Sequence, residues 1–212
     1  MRICRLLKAV QSPIINYLMV SSADILERLG KRSIFLTGFM GSGKTTIGFL
    51  LASRLGIPFY DLDHIIENQE SLQIVDLIDL HGEDSFRTIE SELLEMLLAE
   101  PTPNVISFGG GALVSEVNRT LVRSKGILIS LKAKPEQLIC RLSENQIGSL
   151  LIMAGKPISD ALFVDKVLSA IVELYEIRKP VYDDVDFSVF SGSKSIELIT
   201  EEIIDNLECE LF

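Results

Sequence analysis

The run Gly38-Phe39-Met40-Gly41-Ser42-Gly43-Lys44-Thr45 fits G-x-x-x-x-G-K-[ST], the pattern of a phosphate-binding loop. It lies between Ser33-Ile34-Phe35-Leu36-Thr37, a short β-rich run, and Thr45–Leu55, whose apolar residues recur at helical spacing before Gly56. Strand, glycine loop and helix form the context in which such a pattern binds phosphate. The glycines let successive backbone N–H groups turn toward one anion, and the helix N-terminus adds its partial positive charge. Lys44 is placed to reach β- and γ-phosphates, while Thr45 offers a hydroxyl to Mg²⁺.

Beyond this unit the chain keeps alternating. Strands are predicted at Ile57–Leu62, Asn104–Phe108, Gly126–Leu131 and Asp186–Phe190. Helices are predicted at Ile65–Gln69, Ile74–Leu80, Glu83–Leu98, Ser115–Arg123, Pro135–Leu142, Asp160–Arg178 and Ser195–Leu207, with 145–159 as a loop. Parallel neighbours need crossover connections, so five short strands separated by helices imply an α/β domain with a parallel sheet. Residues 1–32 precede this pattern as an extension or arm containing a short helix at Ser22–Leu29, and residues 33–212 form the main domain.

Composition agrees with an ordinary folded domain: 212 residues with 47% hydrophobic and 24% charged leave no room for long disorder. The net charge of −10 is uneven, because residues 1–32 carry six bases and two acids while the rest holds 14 bases and 28 acids. Such an acidic body disfavours nucleic acid or an anionic membrane as partner. Three widely spaced cysteines, Cys4, Cys140 and Cys209, argue for a reducing compartment and against a zinc site. The apolar run near the start is too short to span a membrane. A cytoplasmic location is expected, or a plastid if the basic, acid-poor start is a targeting segment.

Two further segments carry chemistry. Asp61 and Asp63 are one residue apart, so on an extended segment both carboxylates face one side. One can hold the water shell of Mg²⁺ and the other can take the proton of an acceptor hydroxyl; an acidic turn capping the following helix is the plainer alternative. Gly109-Gly110-Gly111 exposes backbone N–H groups to a small polar ligand, or is simply a tight turn.

Taken with Gly82-Glu83-Asp84-Ser85-Phe86-Arg87-Thr88-Ile89-Glu90 and Arg178-Lys179-Pro180-Val181-Tyr182, in this order and spacing, these motifs make the chain resemble a shikimate kinase from about Ser33 to Leu207. The resemblance implies a P-loop fold like that of nucleoside monophosphate kinases, with a five-stranded parallel sheet in the order 2-3-1-4-5 flanked by helices. It implies transfer of the ATP γ-phosphoryl group to the 3-hydroxyl of shikimate by a monomer. By that match Gly41, Ser42, Gly43, Lys44, Thr45, Thr46 and Arg141 bind nucleotide, with Lys44 also catalytic. Asp63 is the base, and Thr45 and Asp61 hold Mg²⁺. Asp63, Arg87, Gly110, Gly111 and Arg178 bind shikimate, with Glu90 orienting Arg87.

One departure stands out. Where the family has Arg-Pro-Leu-Leu in the lid, about 145–159, this chain reads Gly148-Ser149-Leu150-Leu151. A cation that neutralises the transition state can contribute several orders of magnitude in rate. The alternatives are therefore a shikimate-binding or regulatory protein with weak catalysis, or another P-loop kinase such as one acting on gluconate. Lys156, on the same segment, is a candidate replacement cation, and Gly148→Arg is expected to raise kcat.

Overall fold

A computed structural model describes residues 21–99 and 101–211. The first twenty residues, which include Cys4 and the candidate targeting segment, lie outside the described residues.

Strand β1 (Ser33–Thr37) is central and buried at every position. It is flanked by β3 (Val105–Ser107) and β4 (Gly126–Lys132), with β2 (Phe59–Asp61) and β5 (Phe187–Phe190) outermost. All pairings are parallel and the order is β2-β3-β1-β4-β5, with Phe35 facing Ile106 on one side and Leu128 on the other. Sheet topology thus matches the expected order.

Alternation along β1 sorts the core into two faces. Ile34 and Leu36 point into a layer built with α1 (Ser22–Leu29), α2 (Lys44–Leu55) and α10 (Ile196–Leu211). Helix α1 therefore packs into the main domain, with Ile25 and Leu29 buried. Phe35 points the other way, stacks on Phe108 at 5.6 Å, and joins α3 (Leu62–Glu70), α4 (Ile74–His81), α5 (Glu83–Ala99) and α6 (Glu116–Lys125). A third apolar cluster of Phe39, Leu138, Leu150, Leu151, Ile171 and Tyr182 ties α7 (Pro135–Ile139), α8 (Glu144–Met153) and α9 (Val164–Asp183) together beyond the P-loop.

Three expectations about local structure are corrected. Residues 145–159 are not a loop: α8 occupies most of the segment, followed by a 3₁₀ turn at Ile158–Leu162. Ser143 starts α8 through a capping box with Gln146, and Leu150 and Leu151 anchor it in the core, which outweighs the helix-weakening Gly148. Helix α9 starts four residues later than expected and runs past Arg178 through Pro180 to Asp183. Burial of Tyr182 beyond the proline supplies the packing that holds this last turn. Strand β2 ends at Asp61, where the α3 turn begins.

Candidate active site

The loops leaving the C-terminal ends of β1, β2 and β3 converge, as open parallel sheets require of their binding crevices. Between them and α8 lies a cavity of about 520 Å³. Its lining includes Gly41, Gly43, Lys44, Thr45, Thr46, Asp61, Asp63, Arg87, Gly110, Gly111, Arg141 and Arg178. Of the residues expected to bind nucleotide, metal or shikimate, all line this cavity except Ser42, which is fully buried.

The P-loop folds as its glycines demand. Gly41 and Gly43 have φ of 76° and 96°, a region L side chains avoid, and Gly43 caps α2. Lys44 is 9% exposed and donates to the carbonyls of Gly38 at 3.0 Å and Phe39 at 3.1 Å. Burial lowers its pKa, opposed by the charges of Asp63 and Asp61. These two carbonyl contacts hold the ammonium at the mouth of the anion cradle.

Asp61 and Asp63 reach the cavity, but by a route different from a shared strand face. Asp61 ends β2 and caps α3 by accepting from the His64 backbone N–H at 3.3 Å. Asp63 sits in the first turn of α3. The capping and functional readings of Asp61 are thus compatible, since its other oxygen accepts from Thr45 Oγ1 at 2.6 Å. Asp63 Oδ1 is shielded from solvent and has no hydrogen-bond partner. Burial and the neighbouring Asp61 raise its pKa to about 6, against the pull of Lys44 and Arg87.

Arg87 and Arg178 approach the triple glycine from α5 and α9. Arg87 donates from Nη1 to Glu90 Oε2 at 2.7 Å and from Nη2 to Glu83 Oε1 at 2.9 Å. Glu90 is fully buried, its Oε1 lacks a partner, and burial raises its pKa to about 7 even beside Arg87. Arg178 is 5% exposed and its Nη2 donates to the Met153 thioether at 3.3 Å. Among the described residues no carboxylate pairs with it within 4.0 Å. The need for glycine is steric: a Cβ on Gly111 would lie 2.3 Å from Arg87 Nη2 and 3.1 Å from Arg178 Nη2.

Arg141 donates to the carbonyls of Ser191 at 3.1 Å and Gly192 at 2.8 Å, at the end of the cavity beside Gly41. Two residues on the α8 segment do not enter the site. Gly148 faces Val75 of α4 without lining the cavity, and Lys156 pairs with Glu173 at 2.9 Å. Neutral side chains of α8 line it instead, among them Asn145, Gln146, Ser149 and Met153. These escaped the sequence reading, although the Ser143–Gln146 capping pair signals the helix that presents them. His64 and Glu67 also line the cavity from α3.

A family model described as shikimate kinase matches residues 40–208. A shikimate kinase from Caldicellulosiruptor saccharolyticus is 38% identical over 82% of this chain and 94% of its own length. Among solved structures, shikimate kinase from Bacteroides thetaiotaomicron aligns with a TM-score of 0.68 at 30% identity, covering 84% of this chain and 98% of its own. Shikimate kinase from Acinetobacter baumannii in complex with shikimate aligns with a TM-score of 0.75 at 27% identity, covering 88% and 98%.

Proposed function

The chain belongs to the shikimate kinase family, and from that premise we infer that it transfers the γ-phosphoryl group of ATP to the 3-hydroxyl of shikimate, giving shikimate 3-phosphate and ADP. The observation that carries this for the present residues is the pairing of two unmet groups in one cavity. Asp63 Oδ1 is a shielded carboxylate oxygen without a donor, and Arg178 is a buried cation without a carboxylate. A small polyhydroxy acid satisfies both. A buried cation left unpaired is costly, so an incoming carboxylate meets a site already prepared for it.

Arg178 grips that carboxylate, assisted by Arg87, whose guanidinium is held by Glu90 and Glu83. Gly110 and Gly111 supply backbone donors beside it. Asp63 accepts the proton of the attacking hydroxyl; a pKa of about 6 leaves it ionised at neutral pH and more basic than an ordinary aspartate. Gly41, Ser42, Gly43 and Thr46 frame the phosphates, and Lys44 exchanges its two carbonyl contacts for phosphate oxygens. Arg141 marks the base end of the nucleotide. Helix α8 forms one wall of the cavity through Asn145, Gln146, Ser149 and Met153.

Shikimate kinases as a family use ATP and Mg²⁺. The hydroxyl of Thr45 and the carboxylate of Asp61, 2.6 Å apart, are hard oxygen donors that suit Mg²⁺, which takes few protein ligands and keeps waters and phosphate oxygens. Those two residues would hold it, and the ion would offset the charge of the phosphates. Among the described residues no helix is long and apolar enough to cross a membrane.

ADP release measured with and without shikimate tests the proposal. Shikimate-dependent turnover is expected. Binding of shikimate without turnover would favour a binding protein, and turnover with gluconate alone would reassign the substrate.

A further inference from the structure

Arg178 is held by groups that carry no negative charge. Its Nη2 donates to Met153 Sδ at 3.3 Å, and it lies beside Tyr182, whose hydroxyl donates to the Gly110 carbonyl at 2.5 Å. A thioether is a weak acceptor. It steadies a guanidinium without neutralising it and leaves the other N–H donors open to a carboxylate, which can accept two parallel N–H bonds.

Met153 is also the last residue of α8, and its side chain packs against two apolar clusters, the sheet face beneath α5 and the group joining α7, α8 and α9. Its place therefore follows the seat of α8. The other end of that helix is fastened to the body: Asn145 Nδ2 donates to Gln73 Oε1 at 2.9 Å, at the N-cap of α4. Between these two points Gly148 lies against Val75. Helix α8 thus runs across the cavity from Gln73 to Arg178.

We propose that Met153 is a positioning residue, holding the Arg178 guanidinium in line for the substrate carboxylate and coupling that grip to the seating of α8 on Gln73. The proposal rests on the reading of Arg178 as the carboxylate-binding residue. The sulfur engages Nη2 alone, so the contact persists while the remaining guanidinium donors meet the carboxylate, and Met153 keeps the group pre-ordered for it.

Steady-state kinetics of the full chain test this. Met153→Leu keeps the volume and removes the acceptor, so the fold should survive. It should raise the KM for shikimate about fivefold, the worth of one modest hydrogen bond, while kcat and the KM for ATP stay unchanged. Met153→Gln, which restores an acceptor, should recover the shikimate KM. Asn145→Ala should raise the same KM and add little in combination with Met153→Leu, because both act through α8. An unchanged KM in Met153→Leu, or no recovery in Met153→Gln, would overturn the role of Met153. Full additivity of Asn145→Ala and Met153→Leu would overturn the coupling to α8. Arg178→Lys separates the premise from the proposal. A raised shikimate KM there with a silent Met153→Leu defeats only the role of Met153, whereas an unchanged KM in Arg178→Lys defeats the carboxylate reading and the proposal with it.

Discussion

The free oxygens of Asp63 and Glu90 converge on Gly109: a Cβ there would lie 2.6 Å from Asp63 Oδ1 and 3.0 Å from Glu90 Oε1. Two acids from different helices thus share the space above one glycine; burial first raises the pKa of both, and the charge of Asp63 adds to the rise at Glu90.

Gly109→Ala should therefore disable the site more than it destabilises the fold. The added methyl pushes directly on the oxygen assigned to receive the proton, and small misplacements of a reacting group can cost about a hundredfold in rate. A drop in kcat of that order is expected, with the KM for ATP retained. Near-normal kcat would mean that Asp63 Oδ1 is not the reacting oxygen.

The rate should also carry the titration of Asp63. Transfer needs the ionised carboxylate, so kcat/KM for shikimate should fall as pH drops through about 6, the value set mainly by burial. Asp63→Asn should abolish transfer while ATP still binds, as judged by calorimetry. A variant that keeps near-full turnover would remove Asp63 from the base role.

Stability should show the opposite slope. Asp63 and Glu90 have pKa values raised from 3.8 to about 6 and from 4.5 to about 7, first by burial. The folded chain then holds protons that the unfolded chain has lost. This contribution is complete below about pH 4 and disappears as pH rises through roughly 4 to 7. Denaturant midpoints of the ligand-free protein should accordingly decline across that window, beyond the trend set by other groups. In Asp63→Asn and Glu90→Gln the decline should be shallower, and an identical slope in both variants would contradict the burial argument.

Much of this site was legible in the chain because its signals are local. Positive φ at Gly41 and Gly43, and crowding at Gly111, are demands only glycine meets, and they mark the P-loop and the triple-glycine turn directly. The short β-rich run around Ile34, Phe35 and Leu36 marked a strand, and the structure buries it on both faces. What escaped depends on distant partners. Helix α8 is poor in helical signal around Gly148 and is held by Leu150 and Leu151 packing on α9, a contact no local window contains. The helix expected to end at Arg178 continues through Pro180, because burial of Tyr182 carries α9 on to Asp183. Asp63 reached the cavity from a helix turn, because Asp61 caps α3 as the strand ends.

Gly148 supplies the last test, and here geometry changes what the sequence suggests. Its Cα faces α4, where a Cβ would meet Val75 Cγ2 at 3.5 Å, an ordinary contact, and the residue does not line the cavity. Gly148→Ala should thus fit and stabilise the protein by roughly 0.5–1 kcal/mol, the usual gain from replacing a mid-helix glycine. Gly148→Arg is a different matter. Its long side chain would leave α8 on the α4 side and force the two helices apart, at a cost of about 1–3 kcal/mol. The cation would then be delivered away from the phosphates, and the Asn145–Gln73 contact would be strained rather than the transfer assisted. Thermal unfolding should rise for the alanine variant and fall for the arginine variant, with no gain in kcat for the latter. An arginine variant with raised kcat and unchanged stability would show that α8 can turn this position inward during turnover.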